Sequence, residues 1–331
     1  MRRAVLWPLT GLAALFGLAV VLAIAGWLYV HGQFDTPGPL REAHTLVLPP
    51  GLGAFDIADR LVEEGVIDDP VLFVAGLWIE DEQHALKAGE YAFEALVTPR
   101  GVMEKLVTGD VVVHRLTVAE GMTSAEIVAA LNATSRLEGE IAAVPPEGSL
   151  LPETYHYALS DSRAGLVERM QQAMAALVEE LWQTRDPTLA LDDARQAVVL
   201  ASVVEKETGV ADERPVIAAV FLNRLRDNMR LQSDPTVIYA LTGGAGPLGR
   251  ALTRSDLRVD SPYNTYRVRG LPPGPIANPG RAALAAVMQP AESTALYFVA
   301  DGSGGHAFAE TLDEHNRNVA RWRAQRATDG Q

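Results

Sequence analysis

The chain contains no cysteine, so disulfides, thiolate catalysis and cysteine-based zinc sites are excluded. Charged residues make up only 21% of its 331 residues, and the acidic ones outnumber the basic ones to give a formal net charge of -14. A nucleic-acid partner needs a concentrated basic surface, which this balance does not supply. The chain has enough apolar residues, 48%, to bury a sizeable core in two or three folded units.

Several motifs of metal and phosphate chemistry are also missing. His306 and His315 are nine residues apart, which is not a helical ligand spacing, and no His-Glu-x-x-His pattern occurs. The turn at 302–305 lacks the Gly-Lys-Ser/Thr of a phosphate-binding loop, and there is no Gly-x-Ser-x-Gly elbow. We therefore expect no metal and no cofactor.

A long apolar run lies near the N-terminus. Residues 4–30 contain no charged side chain and are about long enough to cross a bilayer as a helix. Arg2 and Arg3 precede the run and should stay in the cytoplasm, which would place the rest of the chain outside it. A cleaved signal peptide is the alternative, because Ala23-Ile24-Ala25 resembles a cleavage site; Trp27 and Tyr29 favour the uncleaved anchor.

The next part of the chain contains a repeat of strand, glycine turn and helix. In the first copy residues 45–51 lead into a helix over 54–61, and in the second copy residues 115–121 lead into a helix over 124–131. Apolar residues recur at helical spacing in both helices, which should pack on a small sheet. Residues 87–93 are predicted to form another strand and residues 98–107 a short helix capped by Thr98.

The composition changes beyond residue 140. Helices are predicted over 164–184, 193–208 and 213–226, and a buried strand over 296–300. The segment 271–280 has too many prolines for a helix. The residues before the repeat, from Gly32 to Pro39, are typical of a tether.

Glu207 is the strongest candidate for chemistry. On a helical wheel it shares a face with Leu200, Val203 and Val204, whereas Glu205 falls nearly opposite. It also lies in the last turn, where Gly209 is available to end the helix in a left-handed conformation. The carbonyl end of the helix and the apolar surroundings both predict a raised pKa, as general-acid attack on a glycosidic oxygen requires. The alternative is a structural ion pair with Arg214 or Arg224.

Two further segments, 229–236 and 261–266, are rich in amides, hydroxyls and aromatic rings, which bind and stack on sugars. A helix cap at Asp234 and a Pro-Tyr turn explain the same residues equally well.

Taken together, the ordered motifs of the second half resemble the YceG-like (MltG) endolytic murein transglycosylases. The motifs that carry the resemblance are Leu200-Ala-Ser-Val-Val-Glu-Lys-Glu-Thr208, Val220-Phe-Leu-Asn-Arg-Leu225, Arg230-Leu-Gln-Ser-Asp-Pro-Thr-Val-Ile-Tyr239, Tyr263-Asn-Thr-Tyr266, Gly270-Leu-Pro-Pro-Gly-Pro-Ile-Ala-Asn-Pro-Gly280 and Tyr297-Phe-Val-Ala-Asp-Gly-Ser-Gly-Gly-His306. A further segment, Leu150-Leu-Pro-Glu-Thr-Tyr155, matches the family except that Leu151 replaces an aromatic residue and Glu153 an aspartate.

The resemblance implies an enzyme that cuts nascent peptidoglycan strands internally, between N-acetylmuramic acid and N-acetylglucosamine, and leaves 1,6-anhydro ends. It implies Glu207 as the catalytic residue and no protein nucleophile. Motif membership adds candidate substrate-binding residues: Glu153, Asn223, Gln232, Asp234, Tyr263, Asn264, Tyr266 and His306. Two alternatives stay open, a hydrolase that uses water with Glu153 or Asp234 as second carboxylate, and a non-catalytic peptidoglycan-binding scaffold.

The resemblance also implies a place and an architecture. We expect an α+β protein in the bacterial inner membrane, held through residues 4–30 with its body in the periplasm, and with a peptidoglycan synthase as a plausible neighbour. The expected organisation is a cytoplasmic stub and transmembrane anchor (1–31), a linker (32–44), a small LysM-like βα module (45–140), a mixed helical and β catalytic domain with long glycine- and proline-rich loops (141–325), and a tail (326–331).

Overall fold

The computed structural model describes the backbone of residues 6–329 and the side chains of residues 12–326. The chain divides into two compact units. Unit 1 comprises residues 1–114 with 158–160, and unit 2 comprises residues 115–157 with 161–331. Helices and short strands occur in both units, so the expected α+β class is confirmed.

Unit 1 holds four helices and one two-stranded sheet among the described residues. Strands β1 and β2 pair antiparallel, with Leu46 opposite Tyr91. Both residues are buried, and the helices cover the same apolar cluster. The elements of unit 1 are α1 (Leu6–Phe34), β1 (His44–Leu48), α2 (Ala54–Glu63), α3 (Pro70–Ile79), β2 (Gly89–Phe93) and α4 (Pro99–Thr108).

Helix α1 is long and apolar enough, by length and composition, to cross a membrane, and the span that qualifies is Leu12–Phe34. Its side chains are exposed to about half or more along most of this length, as at Phe16 and Leu22. Arg2 and Arg3, which carry the predicted orientation, lie outside the described residues.

The segment predicted as a tether is part of the folded unit. Phe34 and Leu40 are buried in the apolar cluster of unit 1. The backbone between them is held as well, because the Gly38 amide donates to the Val97 carbonyl at 3.1 Å. Apolar residues at the two ends of the glycine- and proline-rich stretch explain why it packs instead of remaining free.

Unit 2 is built around helices, with two small sheets. Strand β3 pairs with β4, and β5 pairs antiparallel with β6. Strand β3 begins at the last residue of unit 1. The elements are β3 (His114–Thr117), α5 (Ser124–Ala133), β4 (Thr154–Tyr157), α6 (Arg163–Gln183), α7 (Ala194–Glu207), α8 (Arg214–Arg226), α9 (Asp234–Thr242), α10 (Arg281–Met288), β5 (Tyr297–Ala300), β6 (His306–Ala309) and α11 (Leu312–Asp329), with short 3-10 helices at Ala211–Glu213 and Asp256–Arg258.

The core of unit 2 forms around α7, because eight consecutive residues of this helix, Ala197 to Val204, are buried. Helices α6, α8 and α10 pack against it. A helix buried on nearly all sides can hold a polar group at its end with little freedom of movement. This is how the fold positions Glu207.

The predicted repeat is present, and its two copies fall in different units. Gly51 and Gly121 both adopt left-handed backbone, with φ of 90° and 75°. Helix α5 starts with a capping box formed by Thr123 and Glu126, and at the start of α2 the Asp56 carboxylate accepts a hydrogen bond from the Gly53 backbone amide at 2.9 Å. The copies do not share a sheet, since β1 pairs with β2 and β3 pairs with β4.

The two compact units divide after residue 114, whereas the sequence predicts a domain boundary after residue 140. The second copy of the repeat therefore packs with unit 2. At the other end α11 continues to Asp329, into the segment expected to be a tail. The LysM-like character of residues 45–140 stays a prediction.

Candidate active site

Helix α7 presents Glu207 at its C-terminal end. The helix starts where the Asp193 carboxylate accepts a hydrogen bond from the Gln196 amide at 2.8 Å. It stops at Thr208, whose backbone turns to an extended conformation with φ of -141° and ψ of 136°. The prediction that Gly209 ends the helix in a left-handed conformation is wrong, because an extended Thr208 already breaks the helix and Gly209 is not among the glycines of positive φ.

The Glu207 side chain is half-buried, and its two carboxylate oxygens have different surroundings. Oε1 accepts a hydrogen bond from the Ser233 hydroxyl at 2.5 Å. None of the described residues donates a hydrogen bond to Oε2. This oxygen is also not among the buried polar atoms without a partner, so it is accessible. Oε2 is therefore the oxygen that can present a proton to a ligand.

Burial raises the pKa of Glu207 to about 7. The hydrogen bond from Ser233 works against this shift, the negative charge of Asp234 adds to it, and the positive charge of Arg224, with that of His306 when its ring is protonated, opposes it. The raised pKa expected from the sequence is confirmed. A group with this pKa holds its proton part of the time at neutral pH and can act as both acid and base.

Tyr266 and Asp234 form a pair beside Glu207. The Tyr266 hydroxyl donates to Asp234 Oδ1 at 2.6 Å, and Asp234 is the exposed first residue of α9. Burial, together with the bond to Asp234, raises the pKa of Tyr266 above its ordinary value. Tyr266 therefore keeps its proton at neutral pH and donates it to Asp234.

His306 is oriented by Glu213. One Glu213 carboxylate oxygen lies 2.7 Å from Nδ1 of the His306 ring, and the other accepts a hydrogen bond from the His306 backbone amide at 2.7 Å. The Thr208 hydroxyl donates to the same carboxylate at 3.3 Å. Partial burial acts to raise the pKa of Glu213, but the hydrogen bonds from His306 outweigh it and hold that pKa below its ordinary value. A Glu213 carboxylate fixes the proton of His306 on Nδ1.

Neither arginine proposed as an ion-pair partner forms a salt bridge with Glu207 in the described residues. Arg214 instead lies 3.5 Å from Glu205 and 3.7 Å from Glu120. Arg224 is buried and donates to two backbone carbonyls, those of Leu231 and Leu296, each at 2.6 Å. The structural alternative for Glu207 therefore loses its specified partners.

Glu205, although predicted to point away from the apolar stripe, is almost fully buried, with 5% of its side chain exposed. It accepts a hydrogen bond from the Gly280 amide at 2.9 Å. The adjacent carboxylates of the Glu-Lys-Glu run thus have separate surroundings: Glu205 ties α7 to the loop before α10, and Glu207 contacts Ser233.

Two of the predicted binding residues are fully used in holding the fold. The Asn223 amide donates to the carbonyls of Ser293 and Ala295, and the Asn264 amide donates to those of Leu257 and Val259. Both are buried. They shape the loops around the site, and their side chains have no free donor for a ligand.

The other predicted residues are distributed differently. Gln232 is exposed and adopts left-handed backbone, with φ of 52°. Tyr263 packs against Tyr239, with ring centroids 4.9 Å apart. Glu153 is exposed, and its negative charge acts to raise the pKa of Glu120 but is not among the charges that shift the pKa of Glu207. Of the eight predicted binding residues, Asp234, Tyr266 and His306 gather at Glu207.

Sequence reasoning missed Ser233, Glu213 and the role of Arg224. Ser233 occupies the cap position of α9, where a serine ordinarily accepts a backbone hydrogen bond, but its hydroxyl makes no cap and contacts Glu207 instead. No local pattern distinguishes these two uses of a serine. Glu213 is the first residue of a predicted helix, which explained its presence without a functional role.

Comparisons with known proteins show the family of the chain. The chain belongs to the YceG-like family, whose model matches residues 46–321. A crystal structure of a yceG-like protein, lmo1499, from Listeria monocytogenes superposes with a TM-score of 0.53 at 30% identity and covers 83% of this chain and 98% of that one.

Two relatives carry the name endolytic murein transglycosylase. The one from Bacillus subtilis strain 168 is 38% identical over 175 residues, which are 52% of this chain and 47% of the relative. The one from Streptococcus pneumoniae serotype 2 strain D39 is 35% identical over 181 residues, 53% of this chain and 32% of the relative. The match therefore spans less than half the length of either relative.

Proposed function

We propose that this chain is an endolytic lytic transglycosylase that cleaves the bond between N-acetylmuramic acid and N-acetylglucosamine within peptidoglycan strands. The observation that carries the proposal is the half-buried Glu207, with a pKa raised to about 7 and one carboxylate oxygen free. Family membership and the names of the two relatives support the same substrate.

In the proposed reaction Glu207 first acts as the acid. Oε2 gives its proton to the bridging oxygen while the bond from that oxygen to C1 of the muramic residue breaks. Positive charge develops at C1, and the new Glu207 carboxylate lies near Arg224, whose charge favours the ionised form. The leaving sugar keeps the transferred proton as its hydroxyl.

Glu207 then acts as the base. The C6 hydroxyl of the same muramic residue attacks C1 and returns its proton to the carboxylate, which restores the acid and leaves a 1,6-anhydro ring. No water is consumed and no protein nucleophile is needed. Ser233 holds Oε1 throughout, so the proton travels through Oε2.

The tyrosine and histidine beside Glu207 are suited to positioning. The Tyr266 and Asp234 pair offers an oxygen acceptor at the exposed edge of the site, and the His306 ring has Nε2 left for a ligand once Glu213 takes Nδ1. We propose that Asp234, Tyr266 and His306 orient the sugars on either side of the bond.

The proposal extends to the membrane and to partners. Helix α1 would hold the chain in the inner membrane with the N-terminus in the cytoplasm and the active site in the periplasm, where nascent strands emerge. Residues 45–140 would be the LysM-like part that holds peptidoglycan, and a peptidoglycan synthase would be the neighbouring enzyme.

Replacement of Glu207 tests the proposal. Glu207→Gln keeps the shape of the side chain and removes the transferable proton, so we expect cleavage of purified glycan strands to fall by about 10²- to 10⁴-fold. The exposed Glu140→Gln is the matched control and should cleave normally. A folded Glu207→Gln variant with unchanged cleavage would refute the enzymatic role and leave the scaffold alternative.

One observation keeps a hydrolase as the second candidate. The carboxylate of Asp234 is close enough to raise the pKa of Glu207, and a second carboxylate could activate a water molecule. Mass spectrometry of the products separates the two reactions. Anhydro ends support the transglycosylase, and reducing ends support the hydrolase.

A further inference from the structure

The C-terminal end of helix α3 exposes two large apolar side chains. Every residue of the helix, Pro70–Ile79, is apolar or glycine, and a helix that is apolar all round is ordinarily buried on all sides. Phe73 and Leu77 are buried accordingly. Trp78 and Ile79, however, are 63% and 39% exposed. The described part of the chain thus leaves an apolar surface uncovered at the last turn of α3.

Arg100 ties this end of α3 to the last turn of α1. Its guanidinium donates to Glu80, the residue that ends α3, at 2.9 Å, and to Asp35, the first residue after α1, at 2.6 Å. The same guanidinium lies 3.4 Å from Nδ1 of His31, in the last turn of α1. The exposed end of α3 is therefore level with the last turn of α1.

Helix α3 runs back toward the apolar part of α1. Phe34 packs on Phe73, with ring centroids 5.9 Å apart, and a Cβ at Gly76 would come within 2.1 Å of the Phe34 ring. Going back along α1 from Phe34 to His31 thus corresponds to going forward along α3 to Glu80. The two helices are antiparallel here, and the end of α3 points along α1 toward its N-terminus.

A bilayer that holds α1 would have its surface at this level. The uncharged run of residues 4–30 is longer than the roughly 20 residues that cross the hydrocarbon core, so Trp27 and Tyr29 fit the outer boundary of that core. His31 lies four residues after Trp27, which is about 6 Å along the helix axis. The headgroup layer on each side of a bilayer is about 5 to 8 Å deep. The exposed end of α3 would then lie in the headgroup layer.

The chemistry of this end fits a zwitterionic lipid surface. The Trp78 ring combines a large apolar face with an N–H donor, and tryptophan is enriched at the boundary between lipid and water for that reason. Ile79 adds apolar area beside it. The three acidic residues 80–82 follow directly, so a strongly anionic surface would repel this end, whereas headgroups with an ammonium group would attract it.

We propose that the end of α3, through Trp78 and Ile79, docks in the headgroup layer of the zwitterionic phospholipid bilayer that holds α1. This inference rests on the proposed membrane attachment through α1 and adds a second point of contact. Two side chains bury too little apolar area to hold the chain on a bilayer alone, so α1 remains the anchor. The second contact fixes the orientation of unit 1 on the membrane surface, because a single helix is free to tilt and rotate.

A spin label at the end of α3 tests the inference, because a chain without cysteine gives a unique thiol when one is introduced. The full-length chain carries the label at Ile79→Cys, in vesicles of equal parts phosphatidylethanolamine and phosphatidylcholine. Val71→Cys is the matched control, since Val71 is 65% exposed at the start of the same helix, about 12 Å from Ile79 along the axis.

Electron paramagnetic resonance measures how accessible each label is to oxygen, which enters lipid, and to a nickel complex, which stays in water. We expect the ratio of oxygen accessibility to nickel accessibility to be several-fold higher at position 79 than at position 71. Adding Trp78→Asp to Ile79→Cys should lower the ratio at position 79, because a carboxylate does not stay in the boundary layer where a tryptophan ring does.

The outcomes separate this inference from the proposal on which it rests. If the chain does not float with the vesicles, the proposed membrane attachment fails, and the docking of α3 fails with it. If the chain floats and both labels are equally accessible to nickel, α1 anchors the chain and only the docking is wrong. Should circular dichroism show that Ile79→Cys does not fold, Trp78→Cys carries the label at a more exposed position, and the same comparison with Val71→Cys decides.

Discussion

A carboxyl group that keeps its proton to near neutral pH is suited to acid catalysis, but it lowers the stability of the folded protein at higher pH. Burial at the end of α7 raises the pKa of Glu207, and the Ser233 hydroxyl donates a hydrogen bond to one of its carboxylate oxygens. The same burial disfavours the ionised form that the unfolded chain would adopt above its ordinary pKa of 4.5. The folded protein is therefore less stable at alkaline pH than it would be without this carboxyl.

The pH dependence of this cost gives a prediction for Glu207→Gln. Below pH 4.5 the carboxyl is protonated in both folded and unfolded states, and the native stability is fully present. Between pH 4.5 and about 7 the unfolded state is ionised while the folded state still holds the proton, so stability is lost across this range and levels off above it. We expect Glu207→Gln to unfold at the same temperature as the native protein at pH 4, and to be the more stable by about 3 kcal/mol at pH 8.

Thermal unfolding at a series of pH values measures this effect. Glu140→Gln, at an exposed position of the same unit, should follow the native curve throughout. A constant difference between Glu207→Gln and the native protein from pH 4 to pH 8 would show that the carboxyl is not protonated preferentially in the folded state.

At the scale of elements, unit 2 depends on a single buried amide. Asn278, fully buried in the loop before α10, accepts from the Leu150 amide at 2.9 Å. It donates to the Met122 carbonyl, Ser124 and Glu147, each at 3.1 Å. Three segments distant in sequence, 122–124, 147–150 and the loop that holds Asn278, meet at this side chain.

Asn278→Ala should therefore destabilise unit 2 strongly. The substitution leaves the Leu150 amide and several other polar atoms buried without a partner, and we expect a loss of about 2 to 4 kcal/mol. Chemical denaturation followed by circular dichroism measures it. Asn132→Ala, at an exposed position on α5, should change stability by less than about 0.5 kcal/mol. An equally small loss of stability in Asn278→Ala and Asn132→Ala would mean that water replaces the lost hydrogen-bond partners of Asn278.

Several helices could be predicted from the sequence, and some of them have a clear capping residue, such as Ser162 at α6 and Asp193 at α7. Helices α6, α7 and α8 lie within one residue of their predicted bounds, and Thr98 caps α4 as expected. Helix α3 was not predicted, because its sequence from Pro70 to Ile79 is apolar on every side and lacks a periodic pattern.

Within the site, Glu207 could be predicted because its own position in the sequence indicates its surroundings. The position of Glu207 on its helix indicates burial, and the raised pKa follows. The contact between Glu207 and Ser233 joins residues 26 positions apart, and the one between Glu213 and His306 joins residues 93 apart. Such pairings depend on tertiary packing, and spacing along the chain contains no information about them.

At the scale of the whole molecule, the N-terminal helix serves two purposes with different residues. Its first part exposes large apolar side chains, such as Leu15 and Phe16, that fit a lipid surroundings better than water. Its last residue, Phe34, is 1% exposed and packs against Phe73 in the core of unit 1. The proposed membrane attachment and the folding of unit 1 therefore depend on different parts of one helix and should be separable by truncation.

Two truncations separate these roles. A chain that begins at His31 keeps Phe34 and the contact of His31 with Arg100 at 3.4 Å, so we expect it to fold and to lose vesicle binding. A chain that begins at Asp35 also lacks Phe34 and leaves a cavity beside Phe73 and Gly76, at a cost to unit 1 of about 3 to 5 kcal/mol. Flotation with phospholipid vesicles measures attachment, and hydrogen exchange of β1 and β2 measures the stability of unit 1. Vesicle binding by the chain that begins at His31 would place the membrane contact outside α1, and equal exchange in both truncated chains would show that Phe34 does not support the core.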